Sequence, residues 1–246
     1  MATEADLDIA WLDDPRDGLA RLSAYGAISI RRHFAREACE RWTGGTYAGK
    51  PVWTADFGSD QFSLGRAFYT HLEQDRSEAY FKDAAASDLR VEQHAPGLQA
   101  AMCDLAARFV GGNVRARRGW CGPGIHVFPA GGHVAVHGGV VHFDTEGLTH
   151  HHVTRRAPAV TLVAMLQPAS SGGGLRVWDV TYDGRDVVAQ EELALKSASV
   201  TYELGDVVVI DSYRLHQILP FSGGLDRVSA TIHLAEVDRG HWESWF

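Results

Sequence analysis

Arg227-Val228-Ser229-Ala230-Thr231-Ile232-His233-Leu234 alternates polar and apolar side chains without a break. Side chains on a β-strand point to opposite faces with a period of two. Arg227, Ser229, Thr231 and His233 therefore share one face, and Val228, Ala230, Ile232 and Leu234 the other. The apolar face calls for a hydrophobic layer. The polar face, if enclosed, calls for an anionic partner, because a buried unpaired guanidinium is costly. The planar, permanently charged fork of arginine suits a carboxylate.

Outward from this strand the chain keeps the same texture back to Val114. Short β-rich runs separated by Gly, Pro, Ser and Asp occupy 114–117, 124–128, 133–142, 159–167, 174–180, 198–203, 206–211 and 227–235. No helical pattern of useful length interrupts them, so a parallel α/β sheet is disfavoured and a sandwich or barrel is expected. The expected class is mainly β with flanking α: a jelly roll, with N-terminal helices buttressing one face.

The N-terminal part reads differently. Residues 6–25 predict a short helix ending near Gly26, Ala27–Ile30 a strand, and Ala35–Trp42 a helix stopping at Gly44-Gly45. Two helices are expected within 66–110. In the second, Leu98, Met102, Leu105 and Phe109 recur at spacings of three and four, giving an apolar stripe. The length suits a single domain over 1–246, divided into mixed support (1–113), jelly-roll core (114–237) and aromatic tail (238–246). The tail, His241-Trp242-Glu243-Ser244-Trp245-Phe246, could pack structurally, fold over a site or dock a partner.

Composition excludes several classes. The chain is 45% hydrophobic and 22% charged with a net charge of −8, which argues against a nucleic-acid partner, since that needs a basic face. No apolar stretch is long enough to cross a bilayer, and Met1–Asp6 is acidic without the apolar region of a signal peptide. Cys39, Cys103 and Cys121 are odd in number and irregularly spaced, the pattern of reduced thiols in a cytoplasmic protein. Gly44-Gly45-Thr46-Tyr47-Ala48-Gly49-Lys50 matches most of a phosphate-binding loop. Pro51 stands where Ser or Thr should hold magnesium, and Pro51-Val52-Trp53 reads as extended instead of opening a helix.

Two further stretches carry chemistry. Val140-Val141-His142-Phe143-Asp144-Thr145-Glu146-Gly147 places an imidazole and a carboxylate two residues apart, just past a run that reads as a strand. Gly205 to Asp211 is a buried strand opened by a Gly-Asp turn, followed by a short loop and His216. In a jelly roll these elements can converge at the mouth between the sheets. Two histidines and one carboxylate then form a facial triad with three open positions, the pattern of non-haem Fe(II) oxygenases.

His142-x-Asp144, His216 and Arg227-x-Ser229, in that order, resemble the Fe(II)- and 2-oxoglutarate-dependent oxygenases. Gly172-Gly173-Gly174-Leu175 before a strand, and Pro220 after the distal histidine, agree with the same resemblance over 114–237. It implies a double-stranded β-helix, with Fe(II) on His142, Asp144 and His216, and 2-oxoglutarate held through its distal carboxylate by Arg227 with Ser229. It also implies O2 as oxidant, succinate and CO2 as products, and hydroxylation of an unactivated C–H bond in a small molecule. Substrate candidates are Glu146 near the metal pair, Arg155 before the next strand, Trp178 at a strand end, and His233 on the polar face. His126 and His233 suit either a core or a pocket.

Two alternatives stay open. Phe128-Pro129-Ala130-Gly131-Gly132-His133-Val134-Ala135-Val136-His137-Gly138-Gly139 also resembles the approach to the iron. There His137 and His216 would be the ligands and Gly139 would replace the carboxylate, as in the family's halogenases. A non-enzymatic, cupin-like metabolite-binding protein is the other. His150-His151-His152 reads as a solvated loop. The sequence leaves the oligomeric state unassigned.

Overall fold

A computed structural model describes residues 7–16 and 18–246. The reading of Met1–Asp6 lies outside the described residues. The N-terminal part comprises β1 (Ile9–Leu12), α1 (Gly18–Leu22), β2 (Ala27–Ile30), α2 (Arg36–Ala48), β3 (Thr54–Asp56), β4 (Gln61–Leu64), α3 (Phe68–Leu72), α4 (Ser77–His94) and α5 (Leu98–Val110). Next come β5 (Asn113–Ala116), β6 (Gly124–Phe128), α6 (His133–His137), α7 (His150–Arg155), β7 (Ala159–Gln167), β8 (Ser171–Gly172), β9 (Leu175–Thr181) and β10 (Ser197–Val200). Last are β11 (Val207–Asp211), β12 (Arg214–Ile218), β13 (Phe221–Ser222), β14 (Arg227–Asp238) and β15 (His241–Trp245).

The strands form a jelly roll. The larger sheet has ten strands, in the order β1-β2-β11-β7-β14-β6-β4-β3, with β15 pairing both β14 and β5. Facing it are the three-stranded sheet β10-β9-β12 and the small pair β13-β8. β14 lies between β7 and β6 and is antiparallel to both. Its alternation is the one expected. Val228, Ala230, Ile232 and Leu234 enter the main core with Leu98, Met102, Leu105 and Phe109 of α5 and Cys39 and Trp42 of α2. Arg227, Ser229, Thr231 and His233 face a cavity on the other side.

Several elements depart from expectation. The 133–142 run is not a strand: Gly131-Gly132 turns into α6, and an irregular stretch follows Gly138. Its His/Val alternation mimics a strand. Ala135 instead packs against Phe128 and Phe221 while Val136 stays exposed, so tertiary packing decides a run too short for periodicity to settle. The expected short loop is the turn at Ser212-Tyr213, and His216 beyond it lies within a further strand, β12. Residues 6–25 hold β1, parallel to β2, before the short α1. Because β1 to β4 join the larger sheet, the division at 114 does not separate support from core. The tail is β15, with Trp242, Trp245 and Phe246 buried.

Helix α2 runs through Gly44-Gly45 to Ala48 instead of stopping there. Glycine inside a helix costs about 1 kcal/mol relative to alanine, which is why the pair reads as a terminator. A Cβ at Gly45 would overlap the His94 carbonyl of α4, whereas one at Gly44 would meet nothing within 4 Å. The two glycines should therefore respond with opposite signs. Gly44→Ala is expected to raise stability by about 0.5–1 kcal/mol. Gly45→Ala should lower it by roughly 1–3 kcal/mol through overpacking. Urea unfolding of both variants is the measurement, and equal shifts would refute the close approach.

Candidate metal centre and cavity

The cavity between the sheets has a volume of about 420 Å³. Its floor is the polar row of β14 with His126 and Phe128 of β6 and Thr161 and Val163 of β7. Leu175, Ile210 and Ile218 add apolar lining.

His142 and His216 are held side by side by the main chain. His142 N–H donates to the His216 carbonyl (3.1 Å) and His216 N–H to the His142 carbonyl (3.0 Å). Two residues on, Asp144 N–H donates to the Ser212 carbonyl (2.9 Å). This lacing points all three side chains to one spot. His142 Nε2 is 3.4 Å from one Asp144 carboxylate oxygen and His216 Nε2 is 3.5 Å from the other. The ligand-type atoms of the three residues all lie within 4.8 Å of one another.

Each imidazole is tied at its far nitrogen. His142 Nδ1–H donates to the Val140 carbonyl (2.8 Å) and His216 Nδ1–H to the Arg214 carbonyl (2.9 Å). A carbonyl can only accept, so both Nδ1 atoms carry the proton and both Nε2 atoms turn toward the centre, the orientation that metal-binding histidines require. Asp144 is 9% exposed. Burial would raise its pKa, but His216 and His142 hold the carboxyl well below the usual carboxylate range. One carboxylate balances one imidazolium. Burial opposes a charge on His142, yet Asp144 outweighs it and lifts the ring to about 9, while burial takes His216 down to about 4.

Arg227 occupies the other end of the floor at 1% exposure. Its Nε–H donates to the Gly173 carbonyl (3.0 Å) and its Nη1–H to Ser229 Oγ (3.0 Å). The guanidinium sits 5.4 Å from the Phe128 ring centroid and 5.3 Å from that of Tyr202. The Tyr202 hydroxyl is buried close by, outside hydrogen-bond geometry. Burial lowers the Arg227 pKa, but arginine keeps its charge in proteins. Among the described residues no carboxylate forms an ion pair with it.

The remaining candidates separate. His233 lines the cavity, bonded through Nδ1 to Thr161 Oγ1 (2.9 Å) and stacked on Trp245. Glu146 lies on an outer groove that shares Glu73 with the cavity. Burial and the nearby Asp144 raise its carboxyl to about 7. Trp178 is in a core cluster, its indole N–H donating to the Leu193 carbonyl (3.2 Å). Arg155 is exposed at the end of α7; neither residue lines the cavity. His137 lies beside His133 at the rim, 4.6 Å between ring centroids, and is not among the three converging residues. Of the three consecutive histidines, His152 is buried and caps α7 with Thr149. Gln61, Tyr69 and Glu73 also line the cavity. They come from the N-terminal part and carry no local sequence signal. Thr161 and Tyr202 carry no local signal either: Thr161 is a lone polar residue in the apolar run Ala159–Met165.

No protein-family model and no curated protein sequence matches the chain. Solved structures do. The non-heme alpha-ketoglutarate-dependent carbocyclase SnoK from nogalamycin biosynthesis aligns with TM-score 0.59 at 13% identity, over 90% of this chain and 83% of that one. The fold is that of the non-haem α-ketoglutarate-dependent enzymes. AviO1 from Streptomyces viridochromogenes Tue57 gives TM-score 0.56 at 16% identity, over 89% and 94%. The epimerase SnoN from nogalamycin biosynthesis gives 0.53 at 12%, over 89% and 83%. SnoN has also been solved in complex with Fe3+, alpha ketoglutarate and nogalamycin RO.

Two stability measurements probe the buried charges. Asp56 on β3 is fully buried, accepts from Ser63 Oγ (2.7 Å) and lies 4.0 Å from Arg76. Burial raises its carboxyl to about 6. The folded state thus binds this proton more tightly than the unfolded chain. The stabilisation is complete below the unfolded pKa of 3.8 and is lost as pH rises through about 6. The stability difference between Asp56→Asn and wild type should therefore shift toward the variant by up to about 3 kcal/mol between about pH 4 and 7. A pH-independent difference would contradict the buried charge. Arg227→Met removes an enclosed cation at similar volume, and the ligand-free protein should gain roughly 1 kcal/mol or more, read by thermal or urea unfolding.

Proposed function

We propose that this protein is an Fe(II)- and 2-oxoglutarate-dependent oxygenase that hydroxylates an unactivated C–H bond of a small molecule, releasing succinate and CO2. One observation carries the reading: a metal-ligand triad and a buried guanidinium without an acidic partner face the same cavity. His142 and His216 would hold the iron through Nε2 and Asp144 through its carboxylate. Both Nε2 atoms are already turned inward by their Nδ1 bonds, and a donor set of two imidazoles and one carboxylate suits Fe(II) with positions left open. Bound together, iron and 2-oxoglutarate supply the oxidising power drawn from O2 that protein side chains lack.

The chain's own residues bind and orient. Arg227 would take the distal carboxylate of 2-oxoglutarate, which supplies the anion its burial demands, and Ser229 fixes the guanidinium for that contact. Val163, Leu175, Ile210 and Ile218 make an apolar wall that limits water near the reacting atoms. His233 remains the substrate-facing candidate within the cavity, and Glu146 the candidate on the adjoining groove. Asp144 in the converging set favours the complete triad over the halogenase pattern. The acidic balance of −8 favours a small-molecule partner over nucleic acid. Among the described residues no helix is long and apolar enough to cross a membrane, and we place the protein in the cytoplasm. SnoK and SnoN, a carbocyclase and an epimerase, show that enzymes of this fold differ in outcome, so the product must be read directly.

Anaerobic addition of Fe(II) and 2-oxoglutarate should produce a visible charge-transfer band in the wild type and none in His216→Ala. A wild type without the band would sink the reading. In a succinate-release screen of amino acids and natural-product intermediates, a product that gains one oxygen atom supports hydroxylation. Loss of two hydrogens would point to cyclisation or desaturation, and unchanged mass to epimerisation.

A further inference from the structure

Two polar groups on the cavity floor, His126 Nε2 and the Thr231 hydroxyl, have no partner among the described residues of the protein. His126 is 5% and Thr231 6% exposed, and both line the cavity. Both groups open onto the cavity, so the partner they meet is supplied by whatever occupies it.

The His126 ring is fixed in both tautomer and orientation. The Gln61 amide N–H groups donate to the Tyr69 hydroxyl and to His126 Nδ1, the latter at 3.1 Å. An amide N–H cannot accept, so Nδ1 is the acceptor and the ring proton sits on Nε2. Phe246 packs on the imidazole with ring centroids 4.7 Å apart, and Phe128 at 5.9 Å. Burial, reinforced by His233 and Arg227, takes the pKa down to about 3, so the ring stays neutral. It is a standing N–H donor and has no free lone pair with which to act as a base toward the cavity.

Register places this donor. His126 pairs with Ser229, Phe128 with Arg227, and Thr231 with Gly124. Thr231 lies two same-face steps beyond Arg227 and one before His233, whose imidazole feels both Asp144 and His142. His126 and Thr231 thus flank the stretch of floor between the arginine end and the triad. Ser229 Oγ accepts from the guanidinium and is held toward the arginine end.

We propose that His126 Nε2–H and the Thr231 hydroxyl form a second oxygen-recognition subsite that takes a carbonyl, hydroxyl or carboxylate oxygen of a ligand in this cavity. Gln61 and Tyr69 are positioning residues that hold the donor in place. The inference deepens the oxygenase reading and rests on it for the ligands: the oxygen belongs either to 2-oxoglutarate or to the molecule being oxidised.

The test combines nitrogen-15 NMR of the imidazoles in the full-length protein with binding and turnover of His126→Phe, His126→Gln and Thr231→Val. NMR should find His126 protonated at Nε2 and unprotonated at Nδ1. Calorimetric titration of 2-oxoglutarate into Zn(II)-loaded protein reads one source. The KM of the compound that releases succinate in the screen reads the other. His126→Phe should weaken one of the two by about 10- to 100-fold, and Thr231→Val should weaken the same one. His126→Gln, which keeps a side-chain N–H near the Nε2 position, should recover most of the loss, which a purely structural role would not do. A shifted calorimetric Kd assigns the oxygen to 2-oxoglutarate. A shifted KM with an unchanged Kd assigns it to the substrate. Wild-type behaviour of His126→Phe toward both, or an unprotonated Nε2, overturns the subsite. If the wild type binds no 2-oxoglutarate, the oxygenase reading fails and the tautomer alone decides for or against the subsite.

Discussion

The reciprocal pair of main-chain hydrogen bonds between His142 and His216 is the constraint on which the site depends. Two histidines far apart in sequence are locked into one register, with their rings 4.3 Å apart. Asp144 is brought in by the same lacing through Ser212, and each ring is then turned by a carbonyl two residues away on its own segment. The candidate ligands are therefore placed by backbone geometry and not by contacts between side chains that a single substitution could rearrange. Such preorganisation lowers the cost of gathering three polar groups that would otherwise repel or solvate one another.

The second constraint is the division of labour on β14. Its odd positions carry the cavity's polar floor and its even positions the apolar layer under α2 and α5. A slip of one residue would send Arg227 into the hydrophobic core and Val228 into the cavity. Pairing on both flanks, to β7 and to β6, fixes that register. The enclosed guanidinium is a stability cost that the fold tolerates, with its Gly173 and Ser229 bonds satisfying only part of its donor set.

Much of this was legible in the sequence wherever a physical period governed. The β14 alternation, the α5 stripe and the β-rich runs after Val114 other than 133–142 correspond to elements seen. The sequence reading failed where tertiary packing overrode local pattern. The run 133–142 alternates like a strand yet opens as a helix, because Ala135 finds its place against Phe128 and Phe221. Gly44-Gly45 looks like a stop, yet the helix runs on because Gly45 lets it approach the His94 carbonyl closely. Trp178 and Arg155 have the chemistry of pocket residues, but Trp178, mid-way along β9, packs into a core cluster and Arg155 ends α7 in solvent. Gln61, Tyr69 and Tyr202 were unreadable for a related reason: no motif announces a residue that reaches a cavity only through folding.

The strand order of the larger sheet has a consequence for how the molecule comes to exist. β2, near the start of the chain, pairs with β11, and β6 and β7 meet only through β14, which is nearly the last strand to be made. Until residues beyond 227 are available, these strands present open edges, and every pairing that closes the cavity joins distant parts of the chain. Such non-local topology folds slowly and leaves aggregation-prone edges exposed for longer. The metal-ligand cluster, which itself needs β12 beside the 142–144 segment, is thus a late product of folding. Any iron it carries must be loaded onto a nearly finished protein and cannot serve as the nucleus that builds it.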